Sequence, residues 1–358
     1  MRAGAETKIC WYSPWFVAKQ SNYCQILQNA GYEVLLARSD THFDTSHAVF
    51  APNILLDKQV GKVRKLFEAR NRFKQIAPFN PDIILFDIPF RVPELLLGIA
   101  LARRFSFVTV IHDAIAHDAA HEVGGMVRLL RRVMIKTSKG IVCFSKNAAG
   151  SLAELHPDKP VYAVPLLPSL PPKQEEVFFE ERRNFAMIGR WSEYKGFDLG
   201  LAIWEKYTSE NDTDSCLDMW CSGLESPLET PENVTWRSFK RYTWDDFDQA
   251  LCTYKAVLMP YRSASQSGVQ ILAWDVGVAT LIANLPGLKE LQPSCLPAID
   301  VSNVDAWVEA LRTLDAPDTA IRTGRAGMKE SQAMRSDLSV LSALELCFKG
   351  VIDADYRE

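Results

Sequence analysis

The chain of 358 residues is 47% hydrophobic and carries a formal net charge of −4, with a pI near 6.0. That length predicts two domains with a core each, and the acidic balance excludes a general attraction to nucleic acid, so none is expected as a partner. The eight cysteines form no Cys-x-x-Cys pair and several sit in apolar runs such as Ile141-Val142-Cys143-Phe144, which excludes a disulfide framework and reads as reduced thiols of a cytoplasmic protein.

Met1–Lys8 is polar and passes directly into a strand, Lys8–Tyr12, so no leader is expected there, and the apolar runs are too short to cross a bilayer. A helix follows over Ser21–Ala30, ended by Gly31 before a strand at Glu33–Ala37. Pro81-Asp82 introduces a strand at Ile83–Phe86, and Phe105–Ile111 and Gly140–Phe144 are further strands. A helix over Asn147–Leu155 and a strand over Val161–Val164 close the first half, whose alternation predicts a parallel sheet covered on both faces. Four prolines in Pro165–Pro172 then interrupt both periodicities and read as a linker.

The second half repeats the pattern. Strands are predicted at Asn184–Ile188, Leu217–Cys221, Val234–Trp236, Ala256–Pro260 and Thr280–Ala283. Helices are predicted at Phe197–Tyr207, Trp244–Thr253, Val269–Asp275 and about Asp337–Val351, with Ser302-Asn303 capping another through Val304, Trp307, Val308 and Leu311. The fold class is therefore α/β, with two doubly wound, Rossmann-like halves facing a cleft at the carboxyl ends of their strands.

The most informative stretch is Gly189-Arg190-Trp191-Ser192-Glu193-Tyr194-Lys195-Gly196, a strand-to-helix turn with glycine at both ends and two cations inside. A helix N-terminus offers free N–H groups and a partial positive charge, so the turn is either a diphosphate site or a tight turn with two solvated cations. Two other stretches stay open. Along Gly124–Lys139 an apolar stripe (Met126, Leu129, Leu130, Val133, Met134) runs beside a basic one (Arg128, Arg132, Lys136, with Arg131 nearby). It is either a core helix with a solvated face or a contact for an anionic membrane surface, and basic residues recur at Lys62, Arg64, Lys65, Arg70, Arg72, Lys74, Arg103 and Arg104. Trp236, Tyr242 and Trp244 either stack on a nucleobase or fill the core.

Several motifs stand in a fixed order: Asn29-Ala-Gly31-Tyr-Glu-Val34, Pro81-Asp82-Ile-Ile-Leu85, Val110-Ile-His112-Asp113, Phe144-Ser145-Lys146, then Gly189-Arg190 with Lys195-Gly196-Phe197-Asp198. Pro260-Tyr261, Gln266-Ser267-Gly268-Val269, Gly277 and Asn284–Glu290 continue the series. Together they resemble the GT-B glycosyltransferases and, within them, the retaining family-four, glycogen-synthase-like group. The resemblance implies an N-terminal acceptor-side domain over 1–168, a Pro-rich linker over 169–182, a nucleotide-sugar-binding domain over 183–335 and a C-terminal helix over 336–358 packing back on the first domain. It implies a glycosyltransferase whose donor is a nucleoside-diphosphate sugar and whose acceptor is a glycan or a lipid-linked acceptor, with retention and no cofactor. The expected location is cytoplasmic, peripheral on the inner face of the membrane through Arg128, Arg131, Arg132 and Lys136.

By the same resemblance Arg190, Lys195 and His112 are the catalytic candidates. Arg190 offers a planar fork and Lys195 a point charge to the leaving diphosphate. His112 either bonds the donor sugar or caps and packs. Gly189, Ser222, Gly223, Gln266, Ser267, Gly268 and Val269 are expected on the donor, and Ser13, Trp15, Asp113 and His117 on the acceptor side. His117 and His121 have a metal-ligand spacing, but arginine and lysine already neutralise phosphate here, so no metal is expected. The chain departs from the family at two places. Gln266 stands for the first of two glutamates in the donor block, with Ala273 or Trp274 where the second would fall, and Ser13-Pro-Trp-Phe-Val17 lacks the usual glycine pair. Those departures keep open a non-catalytic GT-B subunit that binds nucleotide sugar or scaffolds a transferase; a sugar-nucleotide epimerase or hydrolase is a further alternative, which would need an acid/base pair, and no clear carboxylate pair stands in the sequence.

Overall fold

The computed structural model describes residues 7–14, 17–39, 53–56, 62–88, 91–112, 125–168, 182–222, 231–239 and 250–355. The chain forms two compact units: the first takes the N-terminal half and the C-terminal segment from Arg335, and the second ends at Met334.

Unit 1 holds strands β1 (Lys8–Ser13), β2 (Glu33–Ser39), β3 (Asn53–Leu56), β4 (Ile83–Asp87), β5 (Ser106–Ile111), β6 (Gly140–Cys143) and β7 (Val161–Ala163). They make a seven-stranded parallel sheet in the order β3-β2-β1-β4-β5-β6-β7. Its helices are α1 (Val17–Asn29), α2 (Lys62–Ile76), α3 (Val92–Ala102), α4 (Gly125–Thr137) and α5 (Lys146–Leu155). Helices α2, α3 and α4 lie side by side and pack on one face of the sheet. Their core joins Tyr12, Ile84, Phe86, Leu97, Leu101, Phe107 and Met134. Gly98 of α3 is fixed by that packing, because a Cβ there would lie 2.4 Å from Met134 Cε.

Unit 2 holds β8 (Asn184–Arg190), β9 (Leu217–Ser222), β10 (Val234–Phe239), β11 (Tyr254–Met259), β12 (Ala279–Ala283) and β13 (Ala298–Ile299), all parallel, in the order β10-β9-β8-β11-β12-β13. Helices α6 (Phe197–Glu210), α7 (Gly268–Asp275), α8 (Val304–Asp315) and α9 (Pro317–Met334) accompany them. Asn303 caps α8, its side chain accepting from the Ala306 N–H. The last helix, α10 (Asp337–Asp355), belongs to unit 1 and lies against α1, β5, β6 and β7. The Tyr32 hydroxyl donates to Glu345 at 3.0 Å, and the Tyr32 ring meets Phe348 edge-on. Pro165–Pro168 is pinned to α1: Tyr23 donates to the Pro165 carbonyl at 2.8 Å and accepts from the Leu167 N–H at 2.9 Å.

The sequence reading differs from the structure at particular elements. α1 begins at Val17, one turn before the predicted Ser21, because Lys19 and Gln20 are polar side chains that point inward and break the apolar stripe. β3, α2, α3, β13 and α9 were not predicted. α3 is apolar nearly all round and shows no 3.6-residue stripe, while β13 is only two residues long. The Trp244–Thr253 helix lies mostly outside the described residues. All eight cysteines are free thiols, five of them buried.

Candidate functional site

In an open parallel sheet, ligands bind beyond the strand carboxyl ends where the strand order reverses. In unit 2 that point lies between β8 and β11, since β9 and β10 extend one way and β12 and β13 the other. Lys195 crosses it. It ends a single 3₁₀ turn, Glu193–Lys195, that follows β8, and its Nζ donates at 2.8 Å to the hydroxyl of Tyr261, just past β11. The ammonium also sits 4.0 Å from the Tyr261 ring centroid and 5.2 Å from that of Tyr194. Burial pushes the Tyr261 phenol up, so it stays protonated.

The lysine stem passes close over the end of β8, where a Cβ on Gly189 would meet Lys195 Cε at 3.4 Å, an ordinary contact. Gly196 has φ 65° and its would-be Cβ falls 2.2 Å from the Pro260 carbonyl oxygen, so only glycine fits. The turn is tied to β11 a second time. Arg262 forms a fork on Asp198 at 2.9 and 2.7 Å, and its backbone N–H donates to the Tyr194 carbonyl at 2.7 Å. The hydrogen bond from Arg262 holds the Asp198 carboxyl below its ordinary range. Arg190 ends β8 on the exposed side, in register with Ser222 on β9.

Helix α7 starts at the same edge. Ser267 is its N-cap residue, but its hydroxyl makes no cap bond; it is buried and faces the Tyr261 hydroxyl. Gly268, exposed in the first turn, has no atom of the described residues within 4 Å of a would-be Cβ, so there is open space beside it. Val269 is half-buried, and Gln266 lies in the loop between β11 and α7. Gln270 is spent on the fold, donating to the Leu288 carbonyl at 3.0 Å and Gln292 at 3.1 Å. Ala273 and Trp274 are fully buried.

Unit 1 has the corresponding point between β1 and β4, and there too a hydrogen bond spans it: Ser13, ending β1, donates at 2.6 Å to Asp87, ending β4. Asp87 is 1% exposed and also accepts from Gln20 at 3.3 Å and Trp11 at 3.4 Å. His112, just past β5, stands beside it. Lys19 Nζ lies 3.0 Å from His112 Nδ1, while Nε2 is 3.7 Å from Asp87 and 3.5 Å from the Gln20 amide nitrogen. The imidazole leans on Phe144 at 4.9 Å, and the Lys19 ammonium sits over the same ring at 4.4 Å. An ammonium only donates, so His112 Nδ1 accepts and the ring proton rests on Nε2, toward Asp87.

The structure thus brings Gly189, Lys195, Ser267 and Gly268 to one edge of unit 2, with Arg190 and Ser222 at the end of the neighbouring strand pair. Ser13 and His112 share one cluster in unit 1. Trp15, Asp113, His117, His121, Gly223, Tyr242 and Trp244 lie outside the described residues. Trp236 packs against Trp191 and Phe197, each at 6.1 Å between ring centroids. Sequence reasoning passed over Lys19, Gln20 and Asp87, and gave Tyr261 no role of its own. The one available signal was Asp87, a charge closing the apolar run Ile83–Phe86.

No family model matches the sequence, and no curated protein matches it. Solved structures do match the fold. Sucrose-phosphate synthase from Thermosynechococcus elongatus is similar with a TM-score of 0.66 at 12% identity, over 98% of this chain and 100% of that one. An α-glucosyltransferase in complex with UDP gives 0.65 at 14% identity, over 97% and 100%. A putative UDP-N-acetylglucosamine 2-epimerase from Listeria monocytogenes gives 0.62 at 15% identity, over 96% and 97%. The chain has the GT-B fold. In GT-B terms β8–β13 form the C-terminal Rossmann-like sheet and β1–β7 the N-terminal one. No helix of the described residues is long and apolar enough to cross a membrane.

Proposed function

We propose that this GT-B chain is a retaining glycosyltransferase that moves a sugar from a UDP-sugar to a glycan or lipid-linked acceptor. The observation that carries the reading is Lys195, held on Tyr261 across the unit 2 switch point at the edge where α7 begins with exposed Gly268. A fixed cation and free helix N–H groups are what a departing diphosphate requires as charge collects on its oxygens. Arg190 adds a second, planar donor from the end of β8. UDP is the favoured leaving group because related folds were solved with UDP and with UDP-glucose.

Retention is supported by His112. Inversion calls for a base on the acceptor hydroxyl, and a base needs an open lone pair. Lys19 covers Nδ1 and Asp87 faces Nε2, so His112 is a fixed strut that presents no base. Asp87, Ser13 and His112 set the acceptor side in unit 1. The basic residues of α4, Arg128, Arg131, Arg132 and Lys136, favour work at the cytoplasmic face of an anionic membrane.

A second reading, a non-catalytic subunit that binds nucleotide sugar, is favoured by α7, whose first two turns carry no carboxylate. One experiment separates the two. UDP-sugars are incubated with the protein and glycan acceptors, and both UDP release and the anomeric configuration of the product are read. UDP binding without release on any acceptor selects the subunit. A product of inverted configuration removes retention, and absence of any UDP binding removes both readings.

A further inference from the structure

Helix α3 buries its charge and leaves part of its apolar surface exposed. Glu94 is its single charged residue, and it is 0% exposed, bonded to Arg91 at 2.9 Å. Val92 and Leu96, one turn apart, are instead 47% and 52% exposed. A surface helix ordinarily turns its charge to water and its apolar stripe to the core. Each neighbouring helix also exposes an apolar side chain, Phe67 of α2 at 52% and Leu129 of α4 at 55%. α3 and α4 run the same way, so the approach of Gly98 to Met134 sets Val92 level with Arg128 and Leu96 level with Arg132.

The charge on this layer has one sign. The only acidic residues in α2, α3 and α4 are Glu68 and Glu94, both buried and both paired with Arg91. Among the described residues these three helices therefore expose no carboxylate, while Arg70, Arg103, Arg104, Arg128, Arg132 and Lys136 are exposed, in a chain whose net charge is −4. Apolar side chains in a field of exposed cations match the boundary between phosphate headgroups and acyl chains.

We propose that the α2–α3–α4 face of unit 1 docks on an anionic lipid bilayer, with Val92, Leu96, Phe67 and Leu129 entering the interface and the arginines engaging lipid phosphates. The inference places α3 at the centre of the contact, which the basic stripe of α4 alone does not, and it stands independently of sugar transfer.

Flotation of the full chain with phosphatidylcholine vesicles, with and without phosphatidylglycerol, tests it. Binding is expected with the anionic vesicles and not with the neutral ones. Arg128→Ala with Arg132→Ala should weaken binding about fivefold per charge removed. Val92→Ser with Leu96→Ser should weaken it further than that pair while leaving the thermal melt unchanged. Leu96→Trp should blue-shift its fluorescence on adding anionic vesicles. Failure to float overturns the proposal. So does light scattering that shows a dimer which the serine pair dissociates, because the face would then belong to a second copy. UDP binding measured on the same samples keeps the transferase reading separate: it can fail while flotation succeeds, and the reverse.

Discussion

If Tyr261 acts on the leaving group only by holding Lys195, then removing its hydroxyl should matter only while Lys195 is present. Lys195→Met deletes the cation and should lower turnover on the order of 10²–10³-fold, about 3–4 kcal/mol, as for the loss of one preorganised oxyanion donor. Tyr261→Phe keeps the ring face 4.0 Å from the ammonium and removes only the 2.8 Å hydrogen bond. A hydrogen bond from a charged donor is worth ~1.5–3 kcal/mol, but half-buried Lys195 regains part of it from water, leaving a net loss of about 1 kcal/mol or about fivefold in turnover. In the double variant that fivefold should vanish, an interaction energy of about 1 kcal/mol. UDP release from UDP-glucose gives the rates, and calorimetric titration with UDP gives affinities for all four proteins. A further fivefold loss in the double variant would show that Tyr261 works without Lys195. Unchanged turnover in Lys195→Met would refute the diphosphate reading itself.

Gly268→Val should lower UDP affinity at least tenfold with an unchanged melting temperature, since the new side chain enters open space that the ligand needs; a melt shift without an affinity loss counts against a ligand there. Gly196→Ala should do the opposite and destabilise unit 2 by about 2 kcal/mol or more in a denaturant melt, because both φ 65° and the Pro260 carbonyl exclude a Cβ. Asp315 gives a pH signature. Burial would raise its carboxyl, but hydrogen bonds from Lys255, Ser215, Thr213 and Tyr207 outweigh that and hold it at about 2. Its stabilisation is therefore present above the unfolded carboxylate value near 4 and lost as pH falls toward 2. Asp315→Asn should cost about 2 kcal/mol at neutral pH, allowing for partial solvent screening, and the gap to the wild type should close in acid; a gap independent of pH would refute the assignment. Lys19→Met should impair transfer while leaving UDP affinity intact, since Lys19 belongs to unit 1; an equal loss of both would place it on the donor.

Most strands of both sheets and the Gly189–Gly196 turn were legible in the sequence. Each rests on neighbours in the chain: alternation of apolar runs and a glycine where φ is positive. Asn303 capping α8 belongs to the same local class. α3 was not legible, because a helix apolar on every side has no stripe to read, and its one carboxylate gives no sign that it faces inward.

What the tertiary structure decided is which residues serve each other. Lys195 and Tyr261 are 66 residues apart, and Ser13 and Asp87 are 74 apart. Each pair meets because parallel pairing sets β8 beside β11, and β1 beside β4, at the points where the strand order reverses. Strand order and register are long-range properties fixed by burial of whole faces, and no local pattern encodes them. The sequence by itself determined that cations stand at a strand-to-helix turn. Only the fold decided that one of them is locked on a buried tyrosine, and that His112 has Lys19 on Nδ1 and Asp87 facing Nε2.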